Sequence, residues 1–396
     1  MQEIVDRVTA TDEAADIART LLYPYLNHAA TMFESGYATK DDIDAAMRFG
    51  CGYPIGPLDL IDAVGAGAVA DGLAQIHDNS GDQLHVPAPL LVRLAASSGT
   101  FAAEAAGAAE QAPVAHHPVG KVGVVGTGTM AAGIVEVFAK AGHDVVFVGR
   151  SDEKAQAVQA RIEKNLDRAI AKGKLDEAGK SDVIDRLTAA TEREALGDVD
   201  IVVEAIAEDL DIKLELFSDL DRICKPGAIL ATTTSSLSIA QCAAATSRPA
   251  DVIGMHFFNP APVMKLVEVV TADATSSEVA DTVKALCLDI GKHPVSCGDR
   301  AGFIVNALLF PYLNDAVLLH ESGVEMDDID DALKATKLPM GPFELLDVVG
   351  NDVSLAIQRT LVDAFGHEGW QPAPTLEKVV AEGKLGRKSG EGFRTY

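Results

Sequence analysis

The sequence is poor in aromatic residues and in positive charge. Aromatic side chains make up 5% of its 396 residues, with a single tryptophan. Its 33 Lys and Arg face 59 Asp and Glu, and the net charge of −26 argues against nucleic acid or an anionic membrane surface as a partner. No apolar run reaches the roughly 18 residues that a membrane span requires. We therefore expect neither nucleic acid nor a membrane among its partners.

Cysteine is also scarce, and its pattern points to a reducing compartment. The cysteines are odd in number and lack the close spacing of a metal site. They are Cys51, Cys224, Cys242, Cys287 and Cys297. We predict reduced, mostly packed thiols and no bound metal. The opening segment "MQEIVDRVTATDEAAD" is acidic and has no apolar signal core, so we expect a cytoplasmic protein.

The two ends of the chain repeat each other. Four pairs of segments recur in the same order: "LLYPYLNHAATMFESG" (21–36) with "LLFPYLNDAVLLHESG" (308–323), "DDIDAAM" (41–47) with "DDIDDAL" (327–333), "YPIGPLDLIDAVG" (53–65) with "LPMGPFELLDVVG" (338–350), and "VPAPLL" (86–91) with "QPAPTL" (371–376). In both copies apolar residues recur at intervals of three and four, which is typical of helices. Two copies favour a paired helical unit over a solenoid, which needs at least three repeats.

The middle of the chain alternates strand and helix patterns. The apolar, β-branched runs are "KVGVVG", "DVVFVG", "VDIVVEAI", "AILATTTSS" and "DVIGMHFF". Such alternation indicates an α/β fold with a mostly parallel sheet that helices cover on both faces. The predicted divisions are a helical domain at 1–98, an Ala- and Pro-rich linker at 99–118, a sheet domain at 119–298 and a second helical domain at 299–396.

A glycine-rich loop opens the sheet domain. In "KVGVVGTGTMAAGIVEVFAKAGHDVVFVGR" (121–150) a strand runs into G-x-G-x-x-A, then a helix and a second strand. Within one βαβ unit of this size the pattern is typical of a Rossmann-type dinucleotide site, where glycines let the backbone approach a pyrophosphate. The predicted cofactor contacts in the loop are Gly126, Gly128, Thr129, Met130 and Ala131.

One histidine stands in an otherwise apolar segment, "VIGMHFFNPAPVMKLVEVV" (252–270). The strand that ends near His256 and the strand that carries Glu268 are separated by too few residues for a parallel crossover, so we predict antiparallel neighbours. A carboxylate on one imidazole nitrogen fixes the tautomer and raises the basicity of the other nitrogen. A lone strand histidine is more often a packed core residue. The glycine loop upstream favours a catalytic pair instead.

Residues 119–396 resemble a complete L-3-hydroxyacyl-CoA dehydrogenase of the 3-hydroxybutyryl-CoA type. The matching motifs, in family order, are "GTGTMAAG", "VEAIAEDLDIK", "TTTSSLSI", "GMHFFNPAPVMKLVEVV", "DRAGFIVNALLFPYLNDA", "PMGPFELLDVVG" and "GRKSGEGFRTY". Residues 17–98 resemble a second copy of the family's helical domain, placed ahead of the nucleotide-binding domain. The resemblance implies a Rossmann-type doubly wound sheet with two all-helical domains like the C-terminal domain of 6-phosphogluconate dehydrogenase.

The resemblance also assigns roles to particular residues. His256 matches the family's catalytic base and Glu268 its carboxylate partner. Ser235 and Asn306 match the groups that bind the substrate oxygen, and Asn259 matches a residue near the base. A helix-capping serine and a buried helix asparagine are the structural alternatives for Ser235 and Asn306.

For the cofactor and the CoA group the resemblance implies weaker assignments. Glu208 and Lys213 match contacts on the nicotinamide side. Asn165 and Lys172 occupy positions where the family has a serine and a lysine that meet the CoA phosphates, so the serine itself is absent here. Ordinary surface charge is the alternative for Glu208 and Lys213, and a solvated, charged helix face is the alternative for the CoA positions.

The end of the second strand departs from the family. There the family typically carries an Asp, which binds the ribose 2′-hydroxyl of NAD and repels a 2′-phosphate. This chain has Gly149, followed by Arg150 and Ser151. The change removes the repelling carboxylate and adds a guanidinium, so NADP is favoured over NAD as the cofactor. Arg150 stacking on adenine with NAD still bound is the alternative.

The expected activity is the NAD(P)-dependent interconversion of (3S)-3-hydroxyacyl-CoA and 3-oxoacyl-CoA, as in fatty acid metabolism. Two alternatives are a dehydrogenase of a free hydroxy acid or sugar acid on the same fold, and a non-catalytic nucleotide-binding protein. The first helical copy carries Arg19 where the second has Asn306, so it is expected to be structural. We expect the two copies to pair within one chain, and assembly into a homo-oligomer is compatible with this.

Overall fold

The chain divides into two compact units. The structure is a computed structural model that describes residues 1–106 and 112–396. One unit joins the N-terminal residues up to 106 with Ala301–Tyr396, and the other holds the residues from 112 to Arg300. Residues 107–111, within the predicted linker, lie outside the described residues. None of the described helices has both the length and the apolar character that a membrane crossing needs.

The N-terminal segment is entirely helical. Its helices are α1 Gln2–Val8, α2 Glu13–Glu34, α3 Lys40–Gly50, α4 Pro57–Val64, α5 Ala66–Ser80, α6 Pro89–Ser97 and α7 Phe101–Ala105. Asp12 and Thr39 cap α2 and α3 by accepting backbone N–H groups of the first turn. The short helix α7 falls within the predicted linker, and its Phe101 is fully buried, so the helical fold extends past residue 98.

The middle unit is built on one eight-stranded sheet. Its strands are β1 Lys121–Val125, β2 Asp144–Val148, β3 Leu187–Ala190, β4 Ile201–Glu204, β5 Ile229–Thr232, β6 Val252–Phe257, β7 Leu266–Thr271 and β8 His293–Gly298. They lie in the order β3-β2-β1-β4-β5-β6-β7-β8. The first six are parallel, while β7 is antiparallel to β6 and β8 runs parallel to β7. This confirms the mostly parallel sheet and the antiparallel β6–β7 pair. β3 and β8 were not predicted.

Six helices accompany the sheet. They are α8 Thr129–Lys140, α9 Asp152–Ala171, α10 Glu177–Asp185, α11 Leu210–Ile223, α12 Ile239–Ala244 and α13 Ser277–Asp289. β4, β5 and β6 are buried along their whole length, as parallel strands covered on both faces should be. The core between strands and helices includes Phe138 on α8, Phe147 on β2 and Phe257 on β6. The six parallel strands β1 to β6 therefore place their carboxyl ends at one edge of the sheet.

The C-terminal segment is a second set of helices. They are α14 Val305–Glu321, α15 Met326–Ala335, α16 Pro342–Val349, α17 Asn351–Phe365 and α18 Pro374–Ala381. Both long helices of the repeat contain an internal proline, Pro24 in α2 and Pro311 in α14. α4 and α16 both begin with a proline after a glycine N-cap. The sequence repeat thus corresponds to a repeat of helices with the same breaks.

A matched pair of asparagines fixes the same connection in each copy. Asn27 donates to the carbonyls of Leu84 and Val86 and accepts from Ala88 N–H. Asn314 likewise donates to the carbonyl of Gln371 and accepts the N–H of Ala373, the N-cap residue of α18. Both side chains are buried, at 3% and 2% exposure. Each asparagine therefore satisfies backbone groups that a buried loop would otherwise leave unpaired.

A second matched pair of residues, Asp44 and Asp330, has different cationic partners in the two copies. The buried carboxylates of Asp44 and Asp330 accept backbone N–H groups at the starts of α4 and α16. Arg394 in the C-terminal tail pairs with Asp330 at 2.8 Å. Asp44 is instead paired with Lys40, one turn earlier on α3, at 2.7 Å. The first copy thus supplies from its own helix the cation that the second copy takes from the chain end.

The two helical copies contact each other through aromatic side chains, and one of these contacts joins equivalent residues. Tyr25 on α2 and Tyr312 on α14 occupy the same place in the repeat, and their ring centroids lie 6.0 Å apart. The His28 ring packs against Trp370 with centroids 5.8 Å apart. Both tyrosines are buried. The contact between the two copies is therefore partly aromatic.

Asp315 on α14 gives this helical unit a pH dependence. Burial, with a contribution from Asp82 of the first copy, raises the pKa of Asp315 from 3.8 to about 8. The folded chain therefore holds a proton that the unfolded chain releases near pH 4. The stabilisation is fully present below pH 4 and is lost as the pH rises through 8.

We expect Asp315→Asn to remove most of this dependence. Between pH 6 and pH 9 the wild type should lose on the order of 2 kcal/mol more unfolding free energy than the variant. Urea denaturation at the two pH values measures the difference, with the exposed Asp363→Asn as the control that keeps the wild-type slope. Equal losses in wild type and Asp315→Asn would contradict the assignment.

Candidate active site

Two neighbouring strands bring an imidazole and a carboxylate together. The antiparallel register pairs His256 of β6 with Glu268 of β7. His256 Nδ1 lies 2.6 Å from a carboxylate oxygen of Glu268. Both side chains are buried, at 5% and 0% exposure. Since the carboxylate accepts the N–H at Nδ1, Nε2 is left as the basic nitrogen of the ring.

Ser235 lies on the other side of the same ring. It follows the end of β5 by three residues, and β5 is the parallel neighbour of β6. Its Oγ is 3.0 Å from His256 Nε2. Glu268, His256 and Ser235 therefore form a continuous hydrogen-bonded chain. A hydroxyl group of a ligand beside Ser235 would be within reach of the basic nitrogen.

Glu208 holds the segment that carries Ser235. Its Oε1 accepts the Thr234 hydroxyl at 2.5 Å and the backbone N–H groups of Ser235 at 3.0 Å and Ser236 at 3.3 Å. Burial alone would raise the pKa of Glu208. The Thr234 hydroxyl, the charge of Lys213 and the Ser235 N–H outweigh burial and lower that pKa. Glu208 is therefore a charged group that fixes the segment carrying Ser235.

Lys213 lies behind Glu208 and is buried, with 1% exposure. Its Nζ bonds both carboxylate oxygens of Glu204 at 2.7 Å and lies 3.5 Å from Glu208. Glu204 is also fully buried and accepts the Thr232 hydroxyl. Lys213 thus links two carboxylates inside the fold. Glu204 was not predicted, although a carboxylate in the apolar run "VDIVVEAI" is the same kind of signal that singled out His256.

The glycine loop has the shape that a dinucleotide requires. Gly126 has φ +138°, and a Cβ there would lie 2.3 Å from the carbonyl oxygen of Ala205. Gly128 is the N-cap of α8, and a Cβ there would meet nothing within 4 Å. Ala131 is fully buried in the first turn of α8. The loop therefore leaves open space before the free N–H groups of a helix start, where a pyrophosphate binds. These features fit a nicotinamide dinucleotide.

The end of β2 presents a small residue followed by a cation. Gly149 packs tightly, since a Cβ there would lie 2.9 Å from Thr127 Cγ2 and 3.1 Å from Ala155 N. Arg150 is exposed. Ser151 caps α9 by accepting Lys154 N–H at 3.3 Å, which leaves its own hydroxyl proton free to donate. Asp152 begins α9.

Two predicted CoA contacts lie on α9 or at its end. Asn165 is partly buried and donates to Glu136 Oε2 at 2.9 Å, so one of its two N–H groups is already used. Lys172 is the exposed C-cap residue of the helix. The structure gives Asn165 a packing role between α8 and α9 in addition to any contact with a ligand.

The turn between β6 and β7 carries Asn259, which is exposed two residues after β6. Lys292 holds this turn from beneath. Its Nζ donates to the carbonyls of Ala261 at 2.6 Å and Met264 at 2.7 Å, and the residue is only 8% exposed. Burial lowers the pKa of Lys292. No sequence signal distinguished Lys292 from a surface lysine.

Asn306 belongs to the helical unit, in the first turn of α14, and is 7% exposed. Its counterpart in the first copy, Arg19, has a different environment. The Arg19 guanidinium donates to the carbonyls of Val8 and Ala10 at 2.6 Å each and pairs with Asp16. In the first copy the position of Asn306 is thus occupied by Arg19, which links α2 to the end of α1.

The cysteines and possible metal ligands show no further chemistry. All five cysteines are reduced thiols, and four of them are buried. Burial raises the pKa of Cys224 to about 11 and the pKa values of Cys242 and Cys287 to about 12, which makes them poor nucleophiles. In the part of the chain that the structure describes, no three His, Cys, Asp or Glu side chains are grouped to hold a metal ion.

Fold and site together define a nicotinamide-dinucleotide dehydrogenase with a histidine–glutamate pair. The family model of the 3-hydroxyacyl-CoA dehydrogenase NAD-binding domain matches residues 121–300. The model of that family's C-terminal domain matches twice, at residues 17–111 and 302–396. The chain belongs to the 3-hydroxyacyl-CoA dehydrogenase family and carries its C-terminal domain in two copies.

Individual relatives agree with this assignment. The chain is 44% identical over 278 residues to a 3-hydroxybutyryl-CoA dehydrogenase of Clostridioides difficile, covering 70% of this chain and 99% of that protein. It is 46% identical over 290 residues to the mitochondrial hydroxyacyl-coenzyme A dehydrogenase of Homo sapiens, covering 69% and 90%. The crystal structure of (S)-3-hydroxybutyryl-CoA dehydrogenase from Ralstonia eutropha has a TM-score of 0.69 at 40% identity, covering 70% and 99%.

Proposed function

We propose that the protein is an NAD(P)-dependent dehydrogenase that interconverts (3S)-3-hydroxyacyl-CoA and 3-oxoacyl-CoA, with a short acyl chain such as 3-hydroxybutyryl. The observation that carries the proposal is His256, held between Glu268 at 2.6 Å and Ser235 at 3.0 Å. Relatives at 44% identity named for 3-hydroxybutyryl-CoA support the choice of substrate.

In this proposal His256 acts as the general base. Its Nε2 takes the proton of the substrate's 3-hydroxyl, and Glu268 stabilises the imidazolium that forms. A nicotinamide dinucleotide held by the glycine loop would supply the acceptor for the hydride from C3. Ser235 donates to the substrate oxygen, whose charge changes during the reaction, and Asn306 is assigned the same task from the helical domain. In the reverse direction the imidazolium returns its proton to that oxygen.

The cofactor loop and the helix after β2 complete the proposed site. Gly126, Gly128, Thr129, Met130 and Ala131 are assigned to the dinucleotide. Glu208 is assigned to its nicotinamide side, and Lys213 acts through Glu208, because its ammonium is buried against two carboxylates. Asn259 supports the base from the β6–β7 turn. Asn165 and Lys172 are assigned to the CoA phosphates.

A comparison of two substrates tests the activity. We expect the purified chain to reduce acetoacetyl-CoA and to leave free acetoacetate nearly untouched. The CoA-independent alternative, a dehydrogenase of a free hydroxy acid or sugar acid, predicts the opposite preference. Absence of turnover with every hydroxy acid and thioester, despite dinucleotide binding, would support a non-catalytic protein.

We infer that NADP is preferred over NAD. Gly149 leaves no carboxylate to repel a 2′-phosphate, and Arg150 is exposed with no ion-pair partner among residues 1–106 and 112–396. A guanidinium binds a phosphate through two parallel N–H groups. Ser151 can add its hydroxyl proton. These are the features at the end of β2 that favour the phosphorylated ribose.

We expect kcat/KM for NADPH to exceed that for NADH by roughly tenfold or more, the effect of one charge-assisted contact. Gly149→Asp with Arg150→Ala should reverse the preference. Because a side chain at 149 would press on Thr127, the exchange is best made in a Thr127→Ala background, with Thr127→Ala alone as the control. A clear advantage for NADH in the wild type would contradict the inference.

We also propose that the two helical domains pair within one chain and replace the pairing of two subunits. The Tyr25–Tyr312 contact between equivalent residues supports this, as does Arg19 in place of Asn306. The chain would then have one active site and two copies of the pairing domain. Further assembly into a homo-oligomer would use other faces. The free thiols support a cytoplasmic location.

A further inference from the structure

The helix α9 and the residues on either side of it carry an unusual group of cations. Between residues 150 and 174 the sequence has seven Lys and Arg and only four Asp and Glu, in a chain whose net charge is −26. The seven cations are Arg150, Lys154, Arg161, Lys164, Arg168, Lys172 and Lys174. Within the described ranges none of the seven forms an ion pair, although salt bridges are common elsewhere on the surface. Positive charge is thus kept unneutralised beside the cofactor loop.

Arg161 differs from the other six in having a fixed position. Its Nη1 donates to the Thr129 hydroxyl at 2.6 Å. Thr129 is the first residue of α8, directly after the glycine loop. One turn further along α9, Asn165 bonds Glu136 of α8. Arg161 therefore lies on the face of α9 that meets α8, and Thr129 draws its guanidinium to the helix start where a pyrophosphate binds.

The remaining donors of Arg161 suit a phosphate. A guanidinium has five N–H groups, and only one is used on Thr129. The side chain is exposed and, in the described part of the chain, has no carboxylate partner. The guanidinium of Arg161 is planar and permanently charged, and its hydrogen bond to Thr129 already orients it. Less conformational entropy is therefore lost when a phosphate binds.

We propose that Arg161 is a phosphate-binding residue that grips a phosphate of one of the two nucleotides in the reaction, the dinucleotide cofactor or the CoA thioester. This rests on the proposed function for the identity of the ligands. It adds a contact that neither the glycine loop nor the Asn165 and Lys172 positions supply. The Thr129 tether is the reason that Arg161, and not a neighbouring lysine, takes this role.

Direct binding and kinetics on Arg161→Ala test the proposal. Fluorescence titration gives Kd for NADH and NADPH, calorimetry gives Kd for CoA, and initial rates give KM for acetoacetyl-CoA and for acetoacetyl-pantetheine, which lacks phosphate. We expect a rise of about tenfold either in the two dinucleotide Kd values or in Kd for CoA and KM for acetoacetyl-CoA. This is the effect expected for loss of a charge-assisted hydrogen bond. The same constants for Arg161→Lys should lie between those of Arg161→Ala and the wild type. Lysine keeps the positive charge but cannot donate two parallel N–H groups to a phosphate.

The two sources of the phosphate give different patterns. A cofactor contact raises both dinucleotide Kd values and leaves both KM values at saturating cofactor unchanged. A CoA contact raises Kd for CoA and KM for acetoacetyl-CoA, with KM for the pantetheine thioester unchanged. Lys378→Ala on α18 removes an exposed cation elsewhere and is the control that should alter none of these.

Constants for Arg161→Ala that all stay within twofold of wild type would overturn the proposal. If the proposed function itself were wrong, the measurements would give a different pattern. In that case the wild type would not turn over acetoacetyl-CoA, while the dinucleotide and CoA titrations would still report on Arg161. Thermal unfolding of each variant distinguishes a lost contact from a misfolded chain.

Discussion

Replacing His256 with glutamine or alanine is expected to lower kcat by about two to four orders of magnitude, the usual cost of losing a general acid–base group. Nε2 is the atom that removes the hydroxyl proton in the proposed mechanism, and no other basic group contacts Ser235 Oγ in the described site. The residues assigned to the dinucleotide in the proposed function lie on other elements. Kd for NADPH and NADH should therefore stay within about twofold of the wild-type values, within the range of a distant surface change.

A matched control exists in the same unit. His143 also pairs with a carboxylate, that of Asp289 at 3.1 Å, and it precedes β2 at the amino-end edge of the sheet. His143→Gln should keep wild-type turnover. Glu268→Gln should lower kcat by roughly ten- to a hundredfold, because the imidazole stays while the group that fixes its tautomer is lost. Near-normal turnover of His256→Gln would remove this residue from the mechanism.

Deleting residues 1–106 is expected to turn the chain into a dimer or an aggregate. The deletion uncovers Tyr312 and the neighbouring apolar face of α14, which α2 covers in the intact chain. An exposed apolar face of this kind favours association with another copy. Light scattering on the eluting protein would show a mass of twice the truncated chain or more.

Tyr312→Lys in the truncated chain provides the control. A charge on the uncovered face should weaken the new dimer by tenfold or more in Kd, as expected for a central aromatic anchor. The full-length wild-type chain, measured in parallel, should show one unchanged assembly state. A truncated protein that stays soluble, monomeric and fully active would contradict intrachain pairing.

Part of the candidate site was predictable from the sequence, because a polar residue in an apolar strand is costly and therefore informative. His256 and Glu268 stood out for that reason, and the short turn between their strands required an antiparallel pair. Ser235 could be placed at a strand end from the same sheet logic. The helical repeat was visible because apolar spacing, Gly-Pro breaks and the Asn27/Asn314 positions recur in order.

Other features depend on tertiary contacts that leave little local signal. β3 has the sequence "LTAA", which is neither long nor markedly apolar, and pairing with β2 makes it a strand. Lys292 and Arg161 look like ordinary surface cations in the sequence. One is buried against two carbonyls, and the other is drawn to Thr129 across two helices. Side-chain partners far apart in sequence cannot be read from periodicity.

The central claim is that the His256 site dehydrogenates a 3-hydroxyacyl-CoA at C3. The most direct measurement is the initial rate of dinucleotide reduction with (3S)-3-hydroxybutyryl-CoA, its (3R) enantiomer and free 3-hydroxybutyrate, each with NADP and NAD. We expect rapid turnover of the (3S) thioester only, faster with NADP, and its loss in His256→Gln. No turnover of the (3S) thioester, or faster turnover of the free acid, would contradict the account.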